Sequence, residues 1–202
     1  ELDLLAVRPA FRGRGMARSL IQAAMRAAPR EARIRAWVAL ENAPSHRAFA
    51  AAGLRPSPEP CELWAYAIRG LRPRPPDPHW PPVLPVQTPE DAQMWAQGHG
   101  VQAARVFALV EQGVMAWLAR REAGVLALPV QTLHYRGLWL EELWVRGPWR
   151  SAVPALLFHV VEWAKARELD EVGAMVPQGI PWREAFPAQG YGLVATYREY
   201  HL

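Results

Sequence analysis

The sequence predicts an α/β (α+β) chain in which mixed central sheets flanked by helices occur as two tandem copies of one fold, the first copy incomplete. Three observations predict it. A glycine loop joins a short apolar run to a helical pattern near the start, and a strand, an asparagine-capped helix and a glycine stop follow it. Much of that order then returns later in the chain at a nearly constant offset, and self-similarity at a domain-sized period points to duplication of a whole fold.

Leu4, Leu5 and Val7 form an apolar run of the kind a buried strand shows, and Pro9 ends it. Gly13 and Gly15 come next, just ahead of Met16, Leu20, Ile21 and Ala24 at helical spacing. A loop that enters a helix this way aims backbone N–H groups without intrahelical partners, together with the positive end of the helix dipole, at one point. An anion belongs there. Glycine is required wherever a Cβ would block a phosphate or force a disfavoured φ, and Arg12 and Arg14 add positive charge. Beyond Pro29, the residues Ile34, Ala36, Val38 and Leu40 alternate as a strand does. Asn42 caps a helix expected over about 43–52, with Gly53 as its left-handed stop.

The spacing Arg12-x-x-Gly15-x-Ala17 resembles the acyl-CoA pyrophosphate loop of the GCN5-related N-acetyltransferase (GNAT) family. A nucleotide P-loop would close on Gly-Lys-Ser or Gly-Lys-Thr, and a dinucleotide loop would carry a third glycine and a later acidic residue; both are absent. Asn42, Ser45, Phe49, Gly53 and Leu54 stand in register with the second signature of the same family. The resemblance implies two tandem GNAT folds and acetyl-CoA as co-substrate, with no metal. It implies that CoA is held by Leu5, Ala6, Val7, Arg12, Gly13, Arg14, Gly15, Met16, Ala17, Asn42 and Phe49, its pantetheine paired to the strand ending near Val7. A primary amine, on a small molecule or a peptide, would attack the thioester, polarised by strand N–H groups.

One landmark departs in chemistry. The family's aromatic is usually a tyrosine that protonates the leaving thiolate, whereas Phe49 has no such proton and can only pack. His46 is the nearest titratable side chain for that step, although a lone helical histidine is more often just a surface residue. The base that some members carry six residues before the strand-closing valine falls on Glu1, with Asp3 on the same strand face; the alternative is a pair of edge charges at a chain end.

In the repeat, Val145 matches Val7, Arg150 matches Arg12 and Ala155 matches Ala17. A strand from Asp170-Glu171-Val172 follows, and then Phe186, Gly190 and Tyr191 replay the second signature. Ser151 and Val153 replace the two glycines, and Pro154, read as a first-turn helix residue, removes an N–H, so the second copy is expected to keep the fold and lose the anion cradle. Glu141 and Glu142 read as solvated strand-edge charges rather than a catalytic pair. Trp139, Trp144 and Trp149 are expected to fill the gap a pantetheine would otherwise occupy.

The second copy also has a front half. Thr88-Pro89-Glu90-Asp91 is a helix start, residues 105–110 and 114–119 read as strands around a Glu111-Gln112-Gly113 hairpin turn, and 125–133 as a further strand. The first copy shows no such half, which implies about 60 to 80 upstream residues or another chain that completes its sheet. Proline-rich 71–87 reads as a stiff linker rather than a ligand for a recognition domain, between the back half of a first domain at 1–70 and a degenerate second domain at 88–202.

At 202 residues and 51% hydrophobic the chain can bury substantial core and is long enough for one large or two small domains. No apolar run reaches transmembrane length and only one cysteine, Cys61, occurs, which predicts a cytoplasmic location and no membrane partner. Residues 1–80 carry 13 basic and 7 acidic side chains, a surplus that suits a phosphorylated ligand and is too modest to require nucleic acid. The expected function is acetyl transfer from acetyl-CoA, held by the first copy, to a primary amine; the alternative is a non-catalytic acyl-CoA-binding scaffold. A homodimer is compatible with either.

Overall fold

The computed structural model describes residues 5–29, 34–69, 76–131 and 135–202. In chain order the elements are α1 (Met16–Ala27), β1 (Arg35–Ala39), α2 (Ala43–Ala52), β2 (Arg55–Pro56), β3 (Cys61–Ala67), β4 (Val83–Pro85), α3 (Pro89–His99) and α4 (Ala103–Glu111). There follow β5 (Met115–Ala119), β6 (Ala123–Gln131), β7 (Arg136–Val145), α5 (Trp149–Lys165), β8 (Glu171–Pro177), α6 (Ala185–Ala188) and β9 (Gly192–His201). They divide between two compact units. Unit one holds the described residues up to Glu62 with Pro177–Gly179 and Ala195–Leu202; unit two holds those of Leu63–Val176 and Ile180–Val194.

In unit one, β1 pairs antiparallel with the end of the chain, from Arg35 opposite His201 to Ala39 opposite Tyr197, and β2 sets Arg55 and Pro56 against His201 and Tyr200. Strand alternation turns Ala36 and Val38 inward, where they meet Ile21 of α1, Phe49 and Ala52 of α2, Leu54 and Tyr200. The chain's last strand is therefore part of this core.

In unit two the strands run in the order β3, β8, β7, β6, β5, β4. β7 and β8 are parallel, and β4–β5, β5–β6 and β6–β7 are antiparallel. Both faces are covered. Trp117 and Ala119 of β5 and Val125 and Ala127 of β6 lie in one core with Val153, Leu156, Leu157 and Val160 of α5. Alternate residues Ala116, Leu118 and Leu126 lie in the other with Trp95 of α3 and Val106 of α4. A strand buried on both faces is apolar at consecutive positions, which is why β5 and β6 read as unbroken hydrophobic runs. The expected mixed sheet flanked by helices is present.

α2 is formed as read. Asn42 Oδ1 accepts from the Ser45 N–H at 3.2 Å, and Gly53 stops the helix at φ 103°. α3 likewise opens on a capping box, in which Thr88 Oγ1 accepts from the Asp91 N–H while the Asp91 carboxylate accepts from the Thr88 N–H. The Gln87 N–H bond to the same carboxylate, followed by those from the Thr88 hydroxyl and the Thr88 N–H, holds the Asp91 carboxyl below its ordinary pKa.

Four expectations are corrected. Residues 105–110 are not a strand but most of α4, and Glu111-Gln112-Gly113 is its end rather than a hairpin: Gly113 stands at φ 91° and the Val114 N–H returns to Leu109 O. Leu5–Val7 adopt no strand, and Leu4 lies outside the described residues. Pro154 sits inside α5, which begins at Trp149, so it removes an interior bond rather than a first-turn donor. In that first turn the Ser151 N–H is already taken by Pro148 O. Within the proline-rich stretch, Val83–Pro85 pair with Ala119–Trp117 as the outermost strand of the unit-two order, a position that tolerates proline.

Trp144 is buried, meets Trp95 edge-on at 6.1 Å, and lies over two glycines, Gly98 on α3 and Gly124 on β6. A Cβ at Gly124 would stand 2.6 Å from its Nε1, and one at Gly98 would collide with the six-membered ring. The indole thus occupies the space between α3 and the sheet. Gly98→Ala is expected to destabilise unit two by about 1–3 kcal/mol through overpacking, even though alanine is the better helix former. Chemical denaturation checks this, and an unchanged midpoint would contradict it.

Candidate functional site

Unit one carries a cavity of about 670 Å³ between the residues before α1, the first turn of α1, and one side of α2. Leu5, Ala6, Val7 and Phe11 line one side, Arg12, Gly13, Gly15, Met16, Ala17 and Arg18 the loop and helix start, and Asn42, Pro44, Ser45, Arg47, Ala48 and Ala51 the α2 side. The loop needs its glycines. Gly13 and Gly15 stand at φ 75° and 77°, and Gly15 is the residue from which α1 starts. The Ser19 N–H is the first to bond back into the helix, to Gly15 O, so the amides of Met16, Ala17 and Arg18 precede the intrahelical ladder. Arg12 braces the turn, its Nε–H donating to Val7 O at 3.0 Å.

Most of the residues expected to hold a cofactor meet at this cavity: Leu5, Ala6, Val7, Arg12, Gly13, Gly15, Met16, Ala17 and Asn42. Arg14 is not in its lining; its guanidinium lies 6.0 Å from the Phe11 ring centroid. Phe49 is not in the lining either. It is 4% exposed, in the core, against Tyr200 at 5.6 Å. His46 shares that inner side of α2: Nε2 faces the Ala39 carbonyl at 3.0 Å and therefore carries the proton, leaving Nδ1 to accept from the Tyr200 hydroxyl at 3.0 Å. Both ring nitrogens are engaged. Glu1 and Asp3 lie outside the described residues.

Sequence reasoning missed Phe11, Arg18 and, apart from Asn42, the α2 side. Pro44, Ala48 and Ala51 recur at three- and four-residue spacing, so they share a helix face beside the buried one that Phe49 and Ala52 mark, and Ala48 also touches that core. That periodicity was the available signal. Cys61, the single thiol, is buried; burial, and then Glu199, push its pKa up to about 11, which makes it a poor nucleophile. Among the described residues no group of three or more His, Cys, Asp or Glu side chains has a metal-binding arrangement, and no helix is long and apolar enough to cross a membrane.

The stop of α2 has a counterpart in unit two. At α2 the Gly53 N–H reaches Ala50 O and the Leu54 N–H reaches Phe49 O; at α6 the Gly190 N–H, at φ 89°, reaches Pro187 O and the Tyr191 N–H reaches Phe186 O. The same two bonds close both turns.

The family model described as Acetyltransferase (GNAT) family matches residues 1–54, the segment that contains both the glycine loop and α2. The chain is similar to a GCN5-related N-acetyltransferase from Sphaerobacter thermophilus, at 19% identity and TM-score 0.65 over 97% of this chain and 70% of that one. It is similar to a tandem GNAT protein from the clavulanic acid biosynthesis pathway, at 17% identity and TM-score 0.63 over 99% and 73%. A third is a putative acetyltransferase from Pyrococcus horikoshii, at 14% identity and TM-score 0.57, over 98% of this chain and 63% of that one. No curated protein sequence matches. The fold is thus a GNAT acetyltransferase fold, a mixed α/β arrangement.

Proposed function

We propose that the protein is an N-acetyltransferase that binds acetyl-CoA in the cavity of unit one and passes the acetyl group to a primary amine on a small molecule or a peptide. The carrying observation is the backbone of the glycine loop, which turns at two left-handed glycines into the start of α1 inside a cavity lined by Arg12, Arg18 and Arg47. That is a seat for a diphosphate. The neutral amine attacks the thioester carbon, the C–S bond breaks, and the thiolate leaves. With Phe49 lacking a hydroxyl and His46 engaged, the thiolate takes its proton from water, and the amine gives up its proton to a base, for which Glu1 and Asp3 are the candidates.

Two copies of one fold are part of this proposal: the back half of a first at 1–70, a proline-rich connection at 71–87 whose Val83–Pro85 form β4, and at 88–202 a second that has lost its cradle and whose last residues, 195–202, lie in unit one. In the second copy Trp144 fills space that a pantetheine would need. The location is cytoplasmic, neither nucleic acid nor membrane is a partner, and a homodimer accommodates the same site.

Phe49 and the occupied ring of His46 favour a second reading, a scaffold that binds acyl-CoA without turnover. Release of free thiol from acetyl-CoA with a panel of amines separates the two. Amine-dependent release above the amine-free background is expected; tight binding with no such release would leave the scaffold.

A further inference from the structure

β7 and β8 pair in parallel from Gly137 opposite Glu171 to Leu140 opposite Ala174. Leu138, Leu140, Val172 and Ala174 enter the core that α5 shares, so alternation turns Gly137, Trp139, Glu171 and Gly173 to the other face of the sheet. On that face a Cβ at Gly173 would stand 3.0 Å from the six-membered ring of Trp139, and one at Gly137 would collide with the phenol of Tyr135, the residue before β7. Each ring therefore lies across a glycine, with its other side turned away from the strands. Glycine inside a strand marks such close approaches. Neither ring belongs to either core of unit two, and both are half-buried. Two large aromatics are thus laid on the sheet without closing a core.

Glu171 stands beside both rings. The Tyr135 hydroxyl donates to its Oε1 at 3.2 Å, and that oxygen is 3.9 Å from the Cβ position at Gly173, over which Trp139 lies. Burial, and then Glu171, push the Tyr135 phenol up to about 12, so the hydroxyl stays a donor. The neighbouring Asp170 is engaged, accepting from the Arg136 N–H at 2.8 Å and facing the Arg69 guanidinium at 3.8 Å. Glu171 is not matched in this way: among the described residues it forms no ion pair, and its Oε2 accepts no hydrogen bond. We propose that Trp139, Tyr135 and Glu171 form a binding site in unit two for an organic primary ammonium ion. The carboxylate supplies counter-charge and an acceptor, and an indole face attracts a cation that lies within about 6 Å of its centre. An alkyl arm on the ligand has apolar neighbours on β6, where Leu128 is opposite Trp139 and Val130, 39% exposed, is opposite Gly137. The ligand class is that of the proposed acceptor, yet the site stands without the cofactor assigned to unit one.

The test titrates n-butylammonium chloride into the full chain at neutral pH by calorimetry, with butan-1-ol as the uncharged counterpart. The indole N–H resonance of Trp139, assigned by its loss in Trp139→Leu, reports where the ligand sits. Wild type is expected to bind the ammonium with a dissociation constant in the millimolar range, to shift that resonance, and to ignore the alcohol. Glu171→Gln keeps an acceptor for the Tyr135 hydroxyl and removes only the charge. It should weaken binding about tenfold or more, the scale of a hydrogen bond to a charged group. Trp139→Leu should weaken it about two- to fivefold, the scale of an accessible cation–π contact. Thermal melting establishes that both variants are folded. Equal binding of the alcohol would reduce the site to an apolar patch and overturn the proposal. Unchanged affinity in folded Glu171→Gln, or no saturable binding by wild type, would overturn it too. No acetyl-CoA enters any arm, so these outcomes are separate from a failure of the cofactor reading, which the thiol-release assay detects.

Discussion

A chain ending at Val194 is expected to lose acetyl-CoA binding and the cooperative melting of unit one, although residues 195–202 are far in sequence from the cavity and contribute nothing to its lining. Those residues are the antiparallel partner of all of β1 and of β2. Tyr200 completes the core with Ile21, Val38 and Phe49, and its hydroxyl fixes His46 on the inner side of α2. Arg198 Nη1 donates to Ser57 O at 2.9 Å and to Pro58 O at 2.8 Å. Emptying a buried aromatic site costs about 3–5 kcal/mol, a large share of the roughly 5–15 kcal/mol that a domain possesses, before the lost strand bonds are counted. Since α2 supplies one side of the cavity, binding fails with the core. Hydrogen exchange at residues 35–39 should rise throughout, and calorimetry should find no binding. Tyr200→Phe separates packing from the hydrogen bond: it keeps the ring and should cost only about 1 kcal/mol. Wild-type affinity in the truncated chain would refute this account.

This dependence also marks what the sequence can and cannot reveal. α1, α2 and α3 were legible because their determinants are local: Gly15 at an αL entry, Asn42 and Gly53 at the ends of α2, Thr88 and Asp91 in a reciprocal cap. The glycine loop and most of the expected cofactor residues come together at one cavity for the same reason. α4 reads as a strand because Val106, Phe107 and Val110 are good strand formers; Ala103, Ala104, Ala108 and Leu109, interspersed among them, favour helix, and packing of Val106 in the second core of unit two decides the outcome. The destination of the last strand was not legible at all. Nothing in residues 195–202 names β1 as their partner, because pairing across more than 150 residues is selected by burial of Tyr200 and not by any local signal. The inward setting of His46, where the sequence suggests a surface residue, is not local either: its partner Tyr200 lies at the other end of the chain.

Gly15→Asp is expected to abolish acetyl-CoA binding while leaving the protein folded. The position is at φ 77° with no atom within 4 Å of where a Cβ would stand, so the side chain meets open space and the only structural cost is the backbone conformation. Aspartate and asparagine tolerate that region better than other residues, at roughly 1 kcal/mol. What changes is charge. A carboxylate at the entry to α1 cancels the helix dipole and faces the bound diphosphate. At about 4 Å and an effective dielectric near 20 the repulsion is about 4 kcal/mol per charge pair, which corresponds to a loss of about a thousandfold in affinity. Gly15→Asn makes the same conformational demand without the charge, and should bind within about tenfold of wild type. Calorimetry on the pair therefore isolates electrostatics from strain. If Asn and Asp weaken binding equally, the left-handed backbone is what the ligand requires. If neither weakens it, the diphosphate does not sit on this loop, and the cavity of unit one serves some other ligand.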